Sequence, residues 1–366
     1  MTAFSVIDHQ FMALALQLAS RGQYTTHPNP AVGCVLVKDE RVVGAGWHHQ
    51  TGQPHAEILA LQQAAEDAAG CTAYVTLEPC SHQGRTPPCA DALLDAGVLR
   101  VVAAVEDPNP RVEGAGFSLL RSAGVTVETG LLEPAAMELN RGFFKRMREG
   151  RPWVTVKLGA SIDARTAMAN GESQWITGVA ARQDVQHLRA SHAAIMTGIE
   201  TILVDDPRLT QRYHEADRQP VRVILDTQLR TPPAARILSE QGEVWILTAA
   251  AIDDDKSQQL QKLGAQIIPL PMQGVHLDLQ AVLKLLAVRE INSVLVEAGA
   301  TLAGALIAAD QVDELIVYLA PKLLGNNARG LLQLPDLVHL SDAPELQWHD
   351  SRMLGNDLRL TLHRRV

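Results

Sequence analysis

The chain has 366 residues, 46% of them hydrophobic and 20% charged, and a net charge of −9 at neutral pH. That length exceeds what one hydrophobic core usually organises, so two domains are expected, and the composition is that of a soluble α/β protein, not a disordered or fibrous one. The acidic balance, with no Lys/Arg cluster able to track phosphates, excludes a typical nucleic-acid binder and favours a small substrate.

Apolar positions at helical spacing run over 8–20. Asp8 and His9 stand there where a signal peptide needs a basic start and an unbroken apolar run, and no apolar run approaches the ~18 residues of a membrane span. A cytoplasmic protein with no membrane association is therefore expected. V-G-C-V-L-V-K (32–38) and R-V-V-G-A-G-W (41–47) read as a hairpin across Asp39 and Glu40. A helix over 55–69 stopped by Gly70, a strand over 72–77, a short helix over 90–96, a strand over 100–105, a helix over 117–123 and a strand over 125–128 complete one α/β alternation. A single helix over 133–149 then runs into Gly150 and Pro152, the punctuation of a helix stop. The domain boundary is placed there, giving domains 1–150 and 151–366. The second half alternates again, with strands over 153–158, 193–197, 221–226, 243–248, 266–268, 293–297 and 314–319. Its helices are expected over 178–190, 254–262, 278–288 and 302–309.

The stretch V-T-L-E-P-C-S-H-Q-G-R-T-P-P-C (75–89) places two of the four cysteines on one loop. In a reducing compartment such a pair is a metal or catalytic site sooner than a disulfide. Zinc deaminases of bases use one His and two Cys as ligands and a Glu that binds no metal, in the order H-x-E then P-C-x-x-C. His55, Glu57, Pro79, Cys80 and Cys89 follow that order. Thiolate and imidazole suit zinc, and three protein ligands leave a fourth position for water. Glu57 would carry the proton from that water to the ring and on to the departing ammonia. The second cysteine, however, follows after eight residues instead of two, so spacing alone leaves Cys89 open as a ligand or an ordinary loop residue. Cys34 and Cys71 read as packing residues. His48, His49 and His82 are candidates for orienting substrate or plain surface histidines, and Asn29, between two prolines, serves either a substrate contact or a turn. In the second half the strand over 293–297 runs into A-G-A-T-L-A-G-A, where Gly299 and Gly304 would let a ligand approach and a helix start would face a phosphate. A simple strand-to-helix connection would read the same way.

H-P-N-P-A-V-G (27–33), H-A-E (55–57) and T-L-E-P-C-S-H-Q-G-R-T-P-P-C (76–89) resemble the deaminase half of the bifunctional RibD family of riboflavin biosynthesis. G-A-S-I-D-A-R-T-A (159–167), G-E-S-Q-W-I-T (171–177), D-D-P-R-L-T (205–210) and V-E-A-G-A-T-L-A-G-A-L (296–306) resemble its reductase half. The resemblance implies an N-terminal cytidine-deaminase-like three-layer α/β/α domain and a C-terminal dihydrofolate-reductase-like α/β domain. In that family the long Cys spacing is normal, which makes His55, Cys80 and Cys89 the ligands of one zinc per chain. The implied reactions are deamination of 2,5-diamino-6-ribosylamino-4(3H)-pyrimidinone 5′-phosphate and then NADPH-dependent reduction of its ribosyl group to ribityl. Position by position it implies cofactor contacts at Ala160, Trp175, Thr201, Asp205, Gly299, Ala300, Thr301, Leu302, Ala303, Gly304 and Ala305. It implies substrate contacts at Asn29, Ser173, Arg189, Leu209, Arg212 and Glu297, with Lys157 close by. Arg189 and Arg212 suit a 5′-phosphate, although each alone would pass for a solvated charge and Lys157 for a solvent-facing strand residue. The sequence departs from the family at Ala164, where Gly is expected. A homo-oligomer is expected. A cytidine or tRNA deaminase would leave the second half without a role, a structural zinc module would not need Glu57, and a regulatory nucleotide-binding half remains a rival to the reductase.

Overall fold

In the computed structural model the first helix, α1 (Val6–Ala19), begins at Ser5, whose hydroxyl accepts from the Asp8 backbone while the Asp8 carboxyl accepts from the Ser5 backbone. This reciprocal cap satisfies two N–H groups that a helix start otherwise leaves unpaired. The structure describes residues 4–81, 88–110, 112–213, 216, 218–251 and 255–365. Two compact units, Met1–Gly150 and Arg151–Val366, make up the chain.

In unit 1, α1 is followed by β1 (Gly33–Lys38), β2 (Arg41–Trp47), α2 (Ala56–Ala64), β3 (Thr72–Val75) and α3 (Cys89–Asp95). Then come β4 (Arg100–Ala103), α4 (Ala115–Ser122), β5 (Thr126–Thr129), α5 (Glu133–Leu139) and α6 (Arg141–Glu149). The sheet order is β2-β1-β3-β4-β5, with β1 antiparallel to both neighbours and β3, β4 and β5 parallel. Asp39 and Glu40 turn the hairpin with φ of 48° and 59°, the left-handed backbone that a two-residue hairpin turn demands. Strand alternation sorts the core into two faces. Cys34, Leu36, Ala73, Val75, Val101 and Ala103 pack with Ala60, Leu93 and Leu120 of α2, α3 and α4. Val35, Val37, Tyr74 and Val102 pack with Met12 of α1 and with Phe143 and Phe144 of α6. Helices thus cover the sheet on both sides.

Two boundaries differ from the sequence reading. The α-helix expected to reach 69 ends at Ala64 and passes into a 3-10 turn, Ala65–Ala68. The helix expected to run unbroken from 133 to 149 is interrupted at Asn140. There the side-chain oxygen accepts from the Ala31 N–H at 2.7 Å, and the amide nitrogen donates to the Ala31 carbonyl at 2.9 Å. A buried amide that pairs completely with a distant backbone outweighs one more helical turn.

Unit 2 opens with β6 (Trp153–Ser161), β7 (Arg165–Ala167), α7 (Val179–Ser191), β8 (Ala194–Gly198), α8 (Ile199–Asp205), β9 (Val221–Leu225) and α9 (Arg236–Ser239). It continues with β10 (Val244–Thr248), α10 (Asp255–Lys262), β11 (Ala265–Pro269), a small hairpin of β12 (Met272–Gln273) and β13 (His276–Leu277), and α11 (Leu279–Val288). It closes with β14 (Ser293–Val296), α12 (Ala300–Ala308), β15 (Glu314–Ala320), β16 (Arg329–Gly330), β17 (Leu346–Leu354) and β18 (Asp357–Arg364). Nine strands form one sheet in the order β11-β10-β9-β8-β14-β6-β15-β18-β17. The first seven are parallel, and β18 and β17 extend it as an antiparallel hairpin. The parallel strands read as unbroken apolar runs because both faces are covered. Val156, Met196, Val223 and Val294 meet Leu283 and Leu286 of α11 and Leu306 of α12, whereas Ile195, Ile224, Ile246 and Leu295 meet Leu188 of α7 and Ile202 of α8.

Candidate active site

The metal-type cluster of unit 1 is assembled from two helix starts and one strand exit. His55 is the N-cap of α2, Cys80 follows β3, and Cys89 is the first residue of α3. His55 Nδ1 lies 3.3 Å from Cys89 Sγ and 3.7 Å from Cys80 Sγ. Among the described residues these three form the one group of His, Cys, Asp and Glu that could hold a metal ion, their ligand atoms all within 4.8 Å of one another. The Cys89 backbone N–H donates to Cys80 Sγ at 3.3 Å, so the start of α3 faces a thiolate. Hydrogen bonds from Cys89 and His55 draw the Cys80 thiol down to about 4, while bonding to Cys80 and burial hold Cys89 well above its ordinary value. One nitrogen and two sulfurs at mutual contact distance form a donor set that fits zinc. All four cysteines are free thiols. Cys34 and Cys71 are fully buried in the core, and Cys71 donates to the Asp67 carbonyl.

Glu57 sits in the first turn of α2 and is only 3% exposed. Burial, reinforced by Cys80, pushes its carboxyl up to about 7. What holds α2 against the sheet is a row of missing side chains. A Cβ on Gly44 would fall 2.2 Å from the Ala60 carbonyl oxygen, and one on Gly46 would fall 2.6 Å from that of Ala56. Beside the cluster, His48 is buried, its Nε2 accepts from Asn29 Nδ2 at 3.1 Å, and it packs edge-on to His55 at 5.3 Å between ring centroids. Asn29 is itself fixed by its backbone bond to Thr26. His49, by contrast, is exposed and lies on Trp47. His82 is outside the described residues.

In unit 2 the candidate residues gather where parallel strands end, the edge at which open α/β sheets bind ligands. Lys157 of β6 and Glu297 after β14 form an ion pair at 3.1 Å, and Arg189 of α7 grips the same carboxyl through Nε at 2.6 Å and Nη2 at 3.0 Å. The Arg189 Nη1 donates to the Thr210 carbonyl, next to the buried Leu209. Burial alone would raise the Glu297 carboxyl; the Arg189 and Lys157 charges outweigh it and bring it down to about 2. The solvent-facing alternative for Lys157 is not what forms, because an otherwise uncompensated Glu297 recruits it. One expectation changes: the Arg189 fork is engaged by Glu297 instead of standing open for a phosphate. Arg212 remains exposed, with its N–H on Gln186.

Gly299 is the N-cap of α12, and nothing lies within 4 Å of where its Cβ would be. Ala300, Thr301 and Leu302 carry the unpaired N–H groups of a first helical turn; the Ala303 N–H already bonds the Gly299 carbonyl, and Ala303 is buried in the core. Gly304 is not a place for ligand approach. Its Cβ would lie 1.9 Å from the Gln333 carbonyl oxygen, so the chain's own backbone fills that space, and Gln333 also bonds Ala300 and Thr301. Ala305 is exposed one turn further on. Leu302 approaches Gly198 at the start of α8, the helix that carries Thr201 and Asp205. Ala160 is buried in β6, Ser173 is half-buried, and the Trp175 indole is 63% exposed beneath the Arg182 guanidinium, its carbonyl accepting from Lys322. Ala164 adopts φ of +57°, the backbone that explains an expected Gly.

The sequence reading missed the parts played by Asn140 and Gln333, which belong to no motif, and by Glu78, which stands inside T-L-E-P-C without a role of its own there. It also missed α8, because I-E-T-I-L-V is rich in β-branched residues and reads as strand.

A His-Cys-Cys cluster beside a buried glutamate, on a helix-covered mixed sheet, defines unit 1 as a deaminase of the zinc class, and residues 5–105 match the cytidine and deoxycytidylate deaminase zinc-binding region. Residues 152–360 match the RibD C-terminal domain, which makes unit 2 a reductase. The chain is 53% identical to the riboflavin biosynthesis protein RibD of Escherichia coli (strain K12), over 97% of this chain and 99% of that protein. The solved structure of Acinetobacter baumannii RibD superposes with a TM-score of 0.91 at 46% identity, covering 98% of this chain and 99% of that one. A diaminohydroxyphosphoribosylaminopyrimidine deaminase/5-amino-6-(5-phosphoribosylamino)uracil reductase from Thermotoga maritima superposes with a TM-score of 0.87 at 30% identity, covering 98% and 99%. The chain belongs to the RibD family and is a bifunctional deaminase and reductase of riboflavin biosynthesis. No helix among the described residues is long and apolar enough to cross a membrane.

Proposed function

We propose that unit 1 removes the ring amine of 2,5-diamino-6-ribosylamino-4(3H)-pyrimidinone 5′-phosphate and that unit 2 then reduces the ribosyl group with NADPH. The observation that carries the deaminase half is the convergence of His55 Nδ1, Cys80 Sγ and Cys89 Sγ beside buried Glu57. Those three residues would hold one zinc ion. When bound, zinc supplies a Lewis acid that makes water acidic near neutrality. Glu57 takes one proton from the attacking water and delivers it to the ring nitrogen, then carries the second, from the hydroxyl left on the attacked carbon, to the amine, which leaves as ammonia while the oxygen stays on the ring as a carbonyl. Its burial beside the three ligands keeps bulk water from competing for the proton that Glu57 carries. Asn29, braced by His48, would hold the substrate against this cluster.

In unit 2, NADPH supplies a hydride to C1 of the opened ribose. The first-turn N–H groups of α12 would face its pyrophosphate, with Ala160, Trp175, Thr201 and Asp205 along the rest of the cofactor. The substrate would lie along Ser173, Leu209 and the Lys157–Glu297–Arg189 group, with exposed Arg212 on its 5′-phosphate. We place the enzyme in the cytoplasm as a homo-oligomer without a nucleic-acid partner. The test is mass spectrometry of the aminopyrimidine ribosyl phosphate with zinc-loaded enzyme. An amine-to-carbonyl change without NADPH, followed by two added hydrogens only with it, is the expected result. An unchanged substrate with folded, zinc-bound protein overturns the assignment.

A further inference from the structure

Glu78 lies two residues before Cys80, is 3% exposed, and among the described residues its carboxyl hydrogen-bonds to none of those assigned above to metal or substrate. Its carboxyl group is instead a hub for the backbone of a later segment. Oε2 accepts from the N–H of Asp107 at 3.2 Å and of Gly114 at 3.0 Å; Oε1 accepts from Gly116 at 2.9 Å and Phe117 at 3.3 Å. Three of these donors belong to the N-terminal end of α4, which as an eight-residue helix leaves such groups unpaired unless something caps it. The contact is tightened on the next residue. A Cβ on Gly116 would fall 2.0 Å from the Pro79 carbonyl oxygen, so α4 bears directly on the peptide that leads into Cys80. The Glu78 backbone is tied as well, its N–H donating to Val105 at the exit of β4.

We infer that Glu78 is a positioning residue for the deaminase metal centre, anchoring the Glu78–Pro79–Cys80 segment to the start of α4 so that the Cys80 sulfur meets His55 and Cys89. The chemistry of the acceptor explains why a carboxyl stands there. Four converging N–H donors need two acceptor oxygens with all lone pairs available, and a carboxamide of the same shape would turn an NH2 group towards two of them. The donor set of the zinc centre is then held from both sides of Cys80: by the Cys89 N–H on the sulfur and by the Glu78 anchor on the backbone. Groups that orient a metal ligand in this way typically change affinity on the order of 10- to 100-fold when removed.

The inference rests on the zinc reading of the cluster, and the experiment separates the two. Zinc affinity of the full-length wild type and of Glu78→Gln is measured by competition with a chromophoric chelator, with the cobalt-substituted absorption spectrum as a second readout. NADPH-dependent reduction of the deaminated substrate reports on unit 2 in the same samples. Wild type that binds no zinc sinks the zinc reading itself. Wild type that binds zinc, with Glu78→Gln weaker by roughly 10- to 100-fold and altered in its cobalt spectrum, is the expected result. Equal affinity and an identical cobalt spectrum overturn the positioning role. Should Glu78→Gln fail to fold, amide exchange in the wild type decides. Chelating zinc is expected to speed exchange at Gly114, Gly116 and Phe117, and unchanged exchange at those amides overturns the inference.

Discussion

Gly46 lies so close to Ala56 that any side chain at 46 would collide with the first turn of α2, the turn that carries His55 and Glu57. Gly46→Ala therefore moves Glu57, the proposed proton carrier, without touching it. A displacement of about 1 Å at reacting groups costs on the order of 100-fold in rate. Steady-state assays should show deamination falling by roughly that factor while NADPH-dependent reduction stays at the wild-type level. Equal deaminase rates would mean that the helix relaxes around the new methyl group.

Asp8 binds Arg100 at 2.7 Å and Tyr74 at 2.8 Å, besides capping α1. Burial by itself would raise its carboxyl, but bonds from Arg100, Tyr74 and Ser5 outweigh it and hold Asp8 well below the usual carboxylate value of 3.8. Because the folded value lies below the unfolded one, the stabilisation is full above pH ~4 and drains away as pH falls through the folded value. Asp8→Asn should cost about 1–2 kcal/mol of unit 1 stability at pH 7, because Arg100 loses one of its two carboxylate partners and keeps Glu128. The gap to wild type, measured by exchange-monitored urea unfolding of unit 1, should narrow only below pH ~4.

Ala164, in the turn between β6 and β7, holds φ of +57°, and its N–H bonds the Ser161 carbonyl. A Cβ in that region is disfavoured by about 1 kcal/mol or more, partly offset by the greater freedom of glycine in the unfolded chain. Ala164→Gly is expected to stabilise unit 2 by about 0.5 kcal/mol. Denaturant midpoints would check this; a lower midpoint would show that chain entropy dominates.

Gly304→Ala would drive a methyl group into the Gln333 backbone and so disturb the segment bonded to Ala300 and Thr301. NADPH binding, followed by fluorescence titration, should weaken by roughly tenfold, about 1.4 kcal/mol. Deamination without NADPH should be unaffected.

Much of this was legible in the sequence because its signals are local. The hairpin across Asp39 and Glu40 showed as alternation on both sides of two polar residues, and His55, Glu57 and Cys80 showed as a fixed order of residue types. The eight-residue separation of Cys80 and Cys89 was legible only through family resemblance, since what brings the sulfurs together is the start of α3. Long-range pairing left no local trace. Nothing around Asn140 announces its clamp on Ala31, 109 residues away, or the helix break that follows from it. Lys157 could be read either as a substrate neighbour or as a solvent-facing strand residue for the same reason, because Glu297, 140 positions on, determines its surroundings. The hairpin of β17 and β18 had a signal in the alternation of L-R-L-T-L after G-N-D, but stopping at strand 314–319 passed over it.

The first strand of unit 2 made by the ribosome, β6, lies between β14 and β15, the latter ending at Ala320. Roughly 160 residues must follow β6 before both its edges are covered, some 8–32 s at typical bacterial and eukaryotic elongation rates. For that interval W-V-T-V-K-L-G-A-S is a nascent apolar strand open to pairing with the wrong partner. Lys157 in its middle places a charge on the stretch during synthesis, a guard against aggregation before it becomes part of the finished enzyme.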